Sequence, residues 1–139
     1  MQYHFPVVII DEDYHSENVA GLGIRDLAKA IEAQGVEVRA VTTFSDLSGL
    51  AKQASRTSGF LVSLDDDDVS ETGEENEAIH DLREFVREVR RSNPDVPIFL
   101  YGETKTATSI PNDVLRELHG FIHMFEDTPE FVARYIVRE

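Results

Sequence analysis

Five short segments rich in apolar residues divide the chain. The first, Phe5 to Ile10, and the third, Gly59 to Leu64, are almost unbroken, and both are followed directly by carboxylates. Continuous apolar segments of this length are typical of strands that are covered on both faces, as in a parallel sheet. The pattern predicts strands over residues 5–10, 36–41, 59–64, 97–101 and 120–124.

Between these segments the apolar residues recur at helical spacing. From Gly23 onward, Ile24, Leu27 and Ile31 fall on one helix face, and Gly35 stands where a C-cap glycine is expected. The same periodicity predicts four more helices. They are a second helix carrying Phe44, Leu47, Leu50, Ala51 and Ala54, a third carrying Ile79, Leu82, Phe85, Val86 and Val89, a short one begun by Pro111, and a last one with Thr128 as N-cap, Pro129 at its first position and a buried stripe of Phe131, Val132, Tyr135 and Ile136.

Five strands alternating with five helices define the expected fold. Because crossovers between parallel strands are right-handed, the helices must cover both faces of the sheet. We expect an α/β, flavodoxin-like or receiver-like three-layer sandwich, with a five-stranded parallel sheet in the order 2-1-3-4-5. Residues 1–139 are expected to form a single domain. The last helix looks unfinished at Glu139, so we expect a further domain to follow.

Charge and composition narrow the class of partner. The chain has 27 Asp+Glu against 13 Lys+Arg, a formal charge of -14, which repels nucleic acid and anionic lipid. It has no cysteine and no apolar stretch of about 18 residues. We therefore expect no nucleic-acid partner, no membrane partner and a cytoplasmic location.

Two acidic segments follow predicted strands. Asp11, Glu12 and Asp13 follow the first strand, and four aspartates follow the third. Crowded carboxylates repel one another, so we expect these segments to take up protons in mildly acidic medium. Consecutive carboxylates rarely converge on one ion, and the calcium-loop spacing is absent. The candidate pH-responsive cluster is Asp11, Glu12, Asp13, Asp65, Asp66, Asp67 and Asp68.

The order of strands and acidic segments also resembles that of a phosphoacceptor receiver domain. Each residue that receiver chemistry requires can be compared with the residue at the corresponding position of this sequence. Asp11 and Glu12 could serve as its acidic pair, but the acceptor position falls on Leu64 or at best Asp65. The Ser/Thr place after the fourth strand is Gly102, and the Lys place after the fifth is His123 or Met124. We therefore expect a receiver-like fold without phosphotransfer.

No other set of residues predicts catalysis. The five histidines include no pair at metal-ligand spacing on a predicted helix, and no nucleophile elbow, phosphate-binding glycine loop or dinucleotide fingerprint occurs. We assign no catalytic, cofactor-binding or metal-binding residue to this chain.

The C-terminal third carries a family resemblance. Residues 95–103 (DVPIFLYGE), 112–118 (NDVLREL) and 121–131 (FIHMFEDTPEF) resemble the N-terminal wing domain of bacterial ornithine/lysine/arginine decarboxylases. The opening residues 5–11 and 16–18 are also similar to the start of that family.

The resemblance implies a non-catalytic assembly domain that precedes a fold type I pyridoxal-phosphate core, in an enzyme that decarboxylates lysine, arginine or ornithine. The family's Schiff-base lysine lies in a Ser-x-His-Lys motif, and none of Lys29, Lys52 and Lys105 has that context. The cofactor is therefore implied for the full-length enzyme and not for this domain. The implied partners are the core of the same chain and neighbouring subunits of a homo-oligomer.

The sequence indicates the family more clearly than it indicates the surface that makes those contacts. Arg116 and His119, on and after the short helix before the fifth strand, are our candidate assembly contacts. Protonation of the acidic segments is expected to favour larger assemblies. The alternative is that the negative charge only keeps the protein in solution. The alternative reading is a stand-alone degenerate receiver that acts as a protein-interaction module.

Overall fold

The five predicted strands form one parallel sheet in the order β2-β1-β3-β4-β5, as expected. The computed structural model describes residues 5–11, 14–41, 49, 52, 56–63, 77–102, 110–123 and 129–138. Ile10 pairs with Val41 on one side and with Val62 on the other, and Ser63 pairs with Tyr101. The strand bounds are β1 Val7–Ile10, β2 Val38–Val41, β3 Gly59–Ser63, β4 Ile98–Gly102 and β5 Gly120–His123.

Helices cover both faces of this sheet, and their bounds are α1 Val19–Ala33, α2 Glu77–Ser92, α3 Asn112–Leu115 and α4 Pro129–Arg138. Alternate residues of each central strand point to opposite faces. On β3, Phe60 and Val62 join the core beneath α2 and α3, whereas Leu61 joins the core beneath α1 and α4. Phe60 and Phe85 meet edge to face, with ring centroids 5.1 Å apart. Both cores are formed almost wholly of apolar side chains.

Helix α1 begins at Val19, four residues before the start that the apolar periodicity predicts. Asn18 caps it, because its side-chain oxygen accepts a hydrogen bond of 2.8 Å from the backbone N–H of Gly21. Val19 and Leu22 in this first turn are exposed, so they lie off the buried stripe on which the prediction relied. The polar cap, rather than the apolar pattern, sets the start of the helix.

Helix α4 packs on α1 with a face that differs in part from the one predicted. Phe131 was assigned to the buried stripe, but it is 60% exposed. Val132 is buried as predicted, and so is the small Ala133, in the same core as Ile24 and Ile31 of α1. The small side chain of Ala133 permits close approach of the two helices, which turns Phe131 outward. The side chains of Tyr135 and Ile136 lie outside the described residues.

Other predicted elements are only partly described. The apolar residues that mark the second predicted helix, at 44–54, lie outside the described residues, although Gly49 and Lys52 are helical. Thr128, the predicted cap of α4, also lies outside them, and α4 begins at Pro129 as predicted. None of the helices that the structure describes combines the length and apolar character needed to cross a membrane.

We expect Gly23, inside α1, and Gly35, just beyond its C-terminus, to respond oppositely to alanine. Gly35 has φ +89°, so Gly35→Ala should lower the free energy of unfolding by roughly 1 kcal/mol. A Cβ on Gly23 would meet only the Tyr101 hydroxyl, at 3.6 Å, so Gly23→Ala should raise that energy by up to about 1 kcal/mol. Urea denaturation measures both, and effects of the same sign would contradict this account.

Candidate functional site

Three polar residues line up at the carboxyl edge of the sheet. Ser63 pairs with Tyr101, and Asp11 directly follows Ile10, the partner of Val62. Neighbouring strands lie about 4.8 Å apart, so Asp11, Ser63 and Tyr101 form a row across β1, β3 and β4. All three are buried. Their positions in the strands place them on the α1/α4 face.

Tyr101 is the residue in this row that the sequence analysis treated only as part of a strand. Its burial, together with the negative charge of Asp11, raises the pKa of Tyr101 to about 12. The phenol therefore keeps its proton at neutral pH. Gly23 of α1 lies beside it, and a Cβ at that position would make only an ordinary contact of 3.6 Å with the tyrosine hydroxyl. A row of this kind supports packing of α1 on the sheet.

The last residues of β4 and β5 can be compared with the residues that receiver chemistry requires at the ends of these strands. Gly102 is the last residue of β4 and is buried, and it pairs with His123, the last residue of β5. These two residues therefore occupy the places where a receiver needs a hydroxyl and a lysine. Leu64 and Asp65, the candidate acceptors, lie outside the described residues, as does Met124.

The structure places only one member of the predicted acidic cluster. Asp11 is buried beneath the edge, and its backbone oxygen accepts a hydrogen bond of 3.2 Å from the N–H of Tyr14. The other members, Glu12, Asp13, Asp65, Asp66, Asp67 and Asp68, lie outside the described residues. Among the residues that are described, no three histidines or carboxylates are grouped so as to hold a metal ion.

The two candidate assembly contacts are both exposed, at the end of α3 and just beyond it. Arg116 is the C-cap residue of α3. His119 donates its backbone N–H to the oxygen of Ile98 at 2.7 Å, and its ring meets that of Phe99 edge to face at 5.1 Å. His119 is thus tied to the sheet, while Arg116 projects from the surface.

Beside these residues lies a groove between α2 and α3 that the sequence analysis did not identify. It has a volume of about 390 Å³, and we call it the α2–α3 groove. Arg83 donates two hydrogen bonds to the Asp113 carboxylate, at 2.7 and 3.1 Å. The residues that line the α2–α3 groove are Arg83, Val86, Arg87, Arg90, Arg91, Asp113, Val114 and Glu117.

Arg90 joins three parts of the chain at this groove. Its guanidinium donates to the backbone oxygens of Val96 and Glu117, at 2.7 and 2.6 Å, and lies 3.2 Å from the Glu117 carboxylate. The hydrogen bond from Arg83 holds the pKa of Asp113 below its ordinary value. From the sequence alone, Arg87, Arg90 and Arg91 would be expected only to complement the dipole of the helix that carries them. A partial signal was present, because Arg83 and Arg90 are seven residues apart and so can lie on one face of that helix.

The sheet order and the helices on both faces define an α/β domain of the receiver type. A response regulator receiver domain protein from Clostridium thermocellum superimposes with a TM-score of 0.64, over 96% of this chain and 92% of that one, at 10% identity. At that identity the likeness concerns the fold alone. Residues 3–139 match the N-terminal domain of the Orn/Lys/Arg decarboxylases, and the chain belongs to this family.

Individual relatives agree with this assignment and confirm the resemblance seen in the sequence. Lysine decarboxylase LdcA of Pseudomonas aeruginosa is 29% identical over 137 residues, and its solved structure superimposes on 99% of this chain with a TM-score of 0.80. The biodegradative arginine decarboxylase of Escherichia coli is 26% identical over 129 residues. The matches cover 96% and 91% of this chain but only 18% and 16% of those two relatives.

We expect Tyr101 to titrate after Tyr14, the other tyrosine whose side chain the structure describes. Its pKa is raised from 10.0 to about 12 in the folded state, so the folded protein holds this proton more tightly than the unfolded protein does. This difference in pKa stabilises the folded state fully below pH 10.0. As the pH rises through about 12, about 3 kcal/mol of the free energy of unfolding is lost.

The tyrosinate absorbance followed against pH checks this expectation. Tyr101→Phe should remove the component near pH 12, whereas the control Tyr14→Phe should leave it in place. A Tyr101→Phe protein that retains the component would contradict the assignment.

Proposed function

We propose that the chain is the non-catalytic N-terminal assembly domain of a pyridoxal-phosphate-dependent decarboxylase that acts on lysine, arginine or ornithine. The observation that carries this proposal is the family match over residues 3–139. The printed functions of the two relatives, a lysine and an arginine decarboxylase, support the substrate class. The chain spans less than a fifth of either relative, so decarboxylation belongs to the remainder of such an enzyme.

The described residues of this domain do not fit the cofactor. Lys29 lies in an open groove between α1 and α4, together with Asp26 and Glu130, whose carboxylates oppose the cofactor phosphate. Lys52 is exposed, and Lys105 lies outside the described residues. We therefore assign the cofactor to a core that follows this domain, and no step of the reaction to residues 1–139.

Assembly is the role that remains for the domain within the proposed enzyme. Its partners would be the core of the same chain and neighbouring subunits of a homo-oligomer, in the cytoplasm. Exposed apolar side chains are available for such contacts on α1 and α4, at Val19, Leu22 and Phe131. Arg116, at the end of α3, and His119, whose ring meets that of Phe99, stay our candidate contacts.

A second candidate function is a stand-alone degenerate receiver that binds another protein. The superposition on a complete receiver domain favours it, since that match covers 92% of the other chain. The two candidates differ in the length of the native polypeptide. Intact mass spectrometry of protein captured from its own cells would give a mass several times 15.7 kDa for the decarboxylase and about 15.7 kDa for the receiver. The absorbance spectrum of the decarboxylase would also show a pyridoxal aldimine.

Removing residues 1–139 from the native decarboxylase is expected to separate assembly from catalysis. The truncated protein should still release carbon dioxide from its amino acid but should no longer form assemblies larger than dimers. Analytical ultracentrifugation and a decarboxylation assay measure the two effects. Unchanged assembly after truncation would contradict the assembly role, and a native mass near 15.7 kDa would leave the receiver alternative.

We also expect the assembly of the native enzyme to grow as the pH falls. Protonation of the acidic cluster lowers repulsion between domains of formal charge -14, so sedimentation should be faster at about pH 5.5 than at about pH 8. Replacing Asp65 to Asp68 with asparagine should weaken this dependence. Equal sedimentation of the unmodified enzyme at both pH values would exclude the effect.

A further inference from the structure

The groove between α1 and α4 has the size of a small-molecule site. Its volume is about 400 Å³, within the range of roughly 300–1,000 Å³ that is usual for such sites, and we call it the α1–α4 groove. Its walls are held in place by packing, because Val132 and Ala133 of α4 share a core with Ile24 and Ile31 of α1. The groove therefore does not depend on a ligand for its shape.

Charged side chains of both signs line the α1–α4 groove. They are Asp26, Lys29 and Glu130, and within the part of the chain that the structure describes none of the three forms an ion pair. Arg134, one turn further along α4, donates to the backbone oxygen of Glu130, at 3.4 Å. The arginines of the α2–α3 groove differ in this respect, since each has a carboxylate partner. Two negative charges and one positive charge are thus available to a ligand.

The rest of the lining favours a cation on an aliphatic chain. Ala30, Ala33 and Pro129 supply small apolar side chains, over which methylene groups can lie. Helix α1 ends at Ala33 and has no basic residue in its last turn. The negative end of its dipole therefore lies at the groove without a cation from its own helix to offset it.

The three charges discriminate among classes of small ligand. An acidic ligand such as a phosphate meets two carboxylates, and a diamine leaves Lys29 beside a further cation. A neutral amino acid leaves one of the two carboxylates without a partner. A free basic amino acid carries one carboxylate and two cationic groups, so it complements all three side chains.

We propose that the α1–α4 groove binds a free basic amino acid. The carboxylate of the ligand lies against Lys29 and its two cationic groups lie against Asp26 and Glu130, with the aliphatic chain over Ala30 and Ala33. Asp26 and Lys29 are three residues apart on one helix. Their Cβ atoms are therefore about 5–6 Å apart, a separation that the neighbouring ammonium and carboxylate groups of one amino acid can bridge. The inference goes beyond the proposed function, because the groove lies outside the core to which decarboxylation is assigned.

Acetylation of Lys29 in the native polypeptide tests the inference. Sodium borohydride first inactivates any pyridoxal core, so the amino acid is not consumed. A Kd of about 1 mM suits a few exposed ion pairs, so about 10 mM L-lysine should slow the acetylation of Lys29 by roughly fivefold or more. Peptide mass spectrometry measures this rate relative to that of Lys52, which is exposed and lies outside the groove.

Two analogues each lack one charged group of L-lysine. Norleucine has no side-chain ammonium, and the diamine cadaverine has no carboxylate. At the same concentration each should protect Lys29 by roughly threefold less than L-lysine does, because one ion pair is missing. Equal protection by cadaverine would contradict the contact between Lys29 and the ligand carboxylate. Equal protection by norleucine would contradict the choice of a basic amino acid.

A groove variant and a matched control locate the protection, each compared with itself in the presence and absence of L-lysine. Asp26→Asn/Glu130→Gln should abolish the protection of Lys29. The control Glu17→Gln/Glu32→Gln removes two carboxylates at exposed positions outside the groove, and it should retain the protection. Thermal unfolding verifies that each variant is folded.

The possible outcomes separate this inference from the proposed function. A lack of protection in the unmodified protein, or protection that the groove variant retains, would exclude the groove as the binding site. Loss of protection in the control as well would assign the effect to net charge and would also overturn the inference. The native mass and the decarboxylation assay report on the proposed function independently, so either conclusion can fail while the other stands.

Discussion

The need to cover a parallel sheet on both faces is the constraint on which this structure depends. β3, at the centre of the sheet, buries Phe60 and Val62 under one pair of helices and Leu61 under the other, so no residue from 59 to 63 is exposed. On the central strands β1, β3 and β4, the polar side chains lie at or near the carboxyl ends, where the chain leaves the sheet. Exposed side chains lie on the outer surfaces of the helices, as Phe131 of α4 and Arg91 of α2 do.

That constraint explains why the sheet was predictable from the sequence. A strand buried on both faces has few polar positions, so the segments at 5–10 and 59–64 identify themselves, and right-handed crossovers limit the possible orders. Helix details were harder to predict. The start of α1 depends on one hydrogen bond from Asn18, and the orientation of α4 depends on how closely Ala133 can approach α1. Apolar periodicity records neither effect, so the start of α1 and the burial of Phe131 were predicted wrongly.

The buried polar row and the α2–α3 groove depend still more on tertiary structure, so they were harder to predict from the sequence. The buried row of Asp11, Ser63 and Tyr101 requires the register of three strands that are distant in sequence. The α2–α3 groove depends on the ion pair between Arg83 and Asp113, which are 30 residues apart in the sequence. The spacing of charged residues indicates that they can form ion pairs, but it does not indicate which partner each one takes. The resemblance to the decarboxylase family lay in short segments that a single sequence displays directly, which is why the family was identified first.

The described part of the carboxyl edge has buried residues at positions where a receiver domain uses reactive polar groups. A phosphotransfer site needs open polar groups at the ends of the strands, but here Gly102 ends β4 and the buried phenol of Tyr101 precedes it. A tyrosine with a pKa near 12 is neutral and cannot offset a phosphate. In the part of the edge that the structure describes, the polar groups Asp11, Ser63 and Tyr101 are therefore buried on the α1/α4 face. Exposed charges of the described residues lie away from this row, for example at Arg87 and Arg91 of α2.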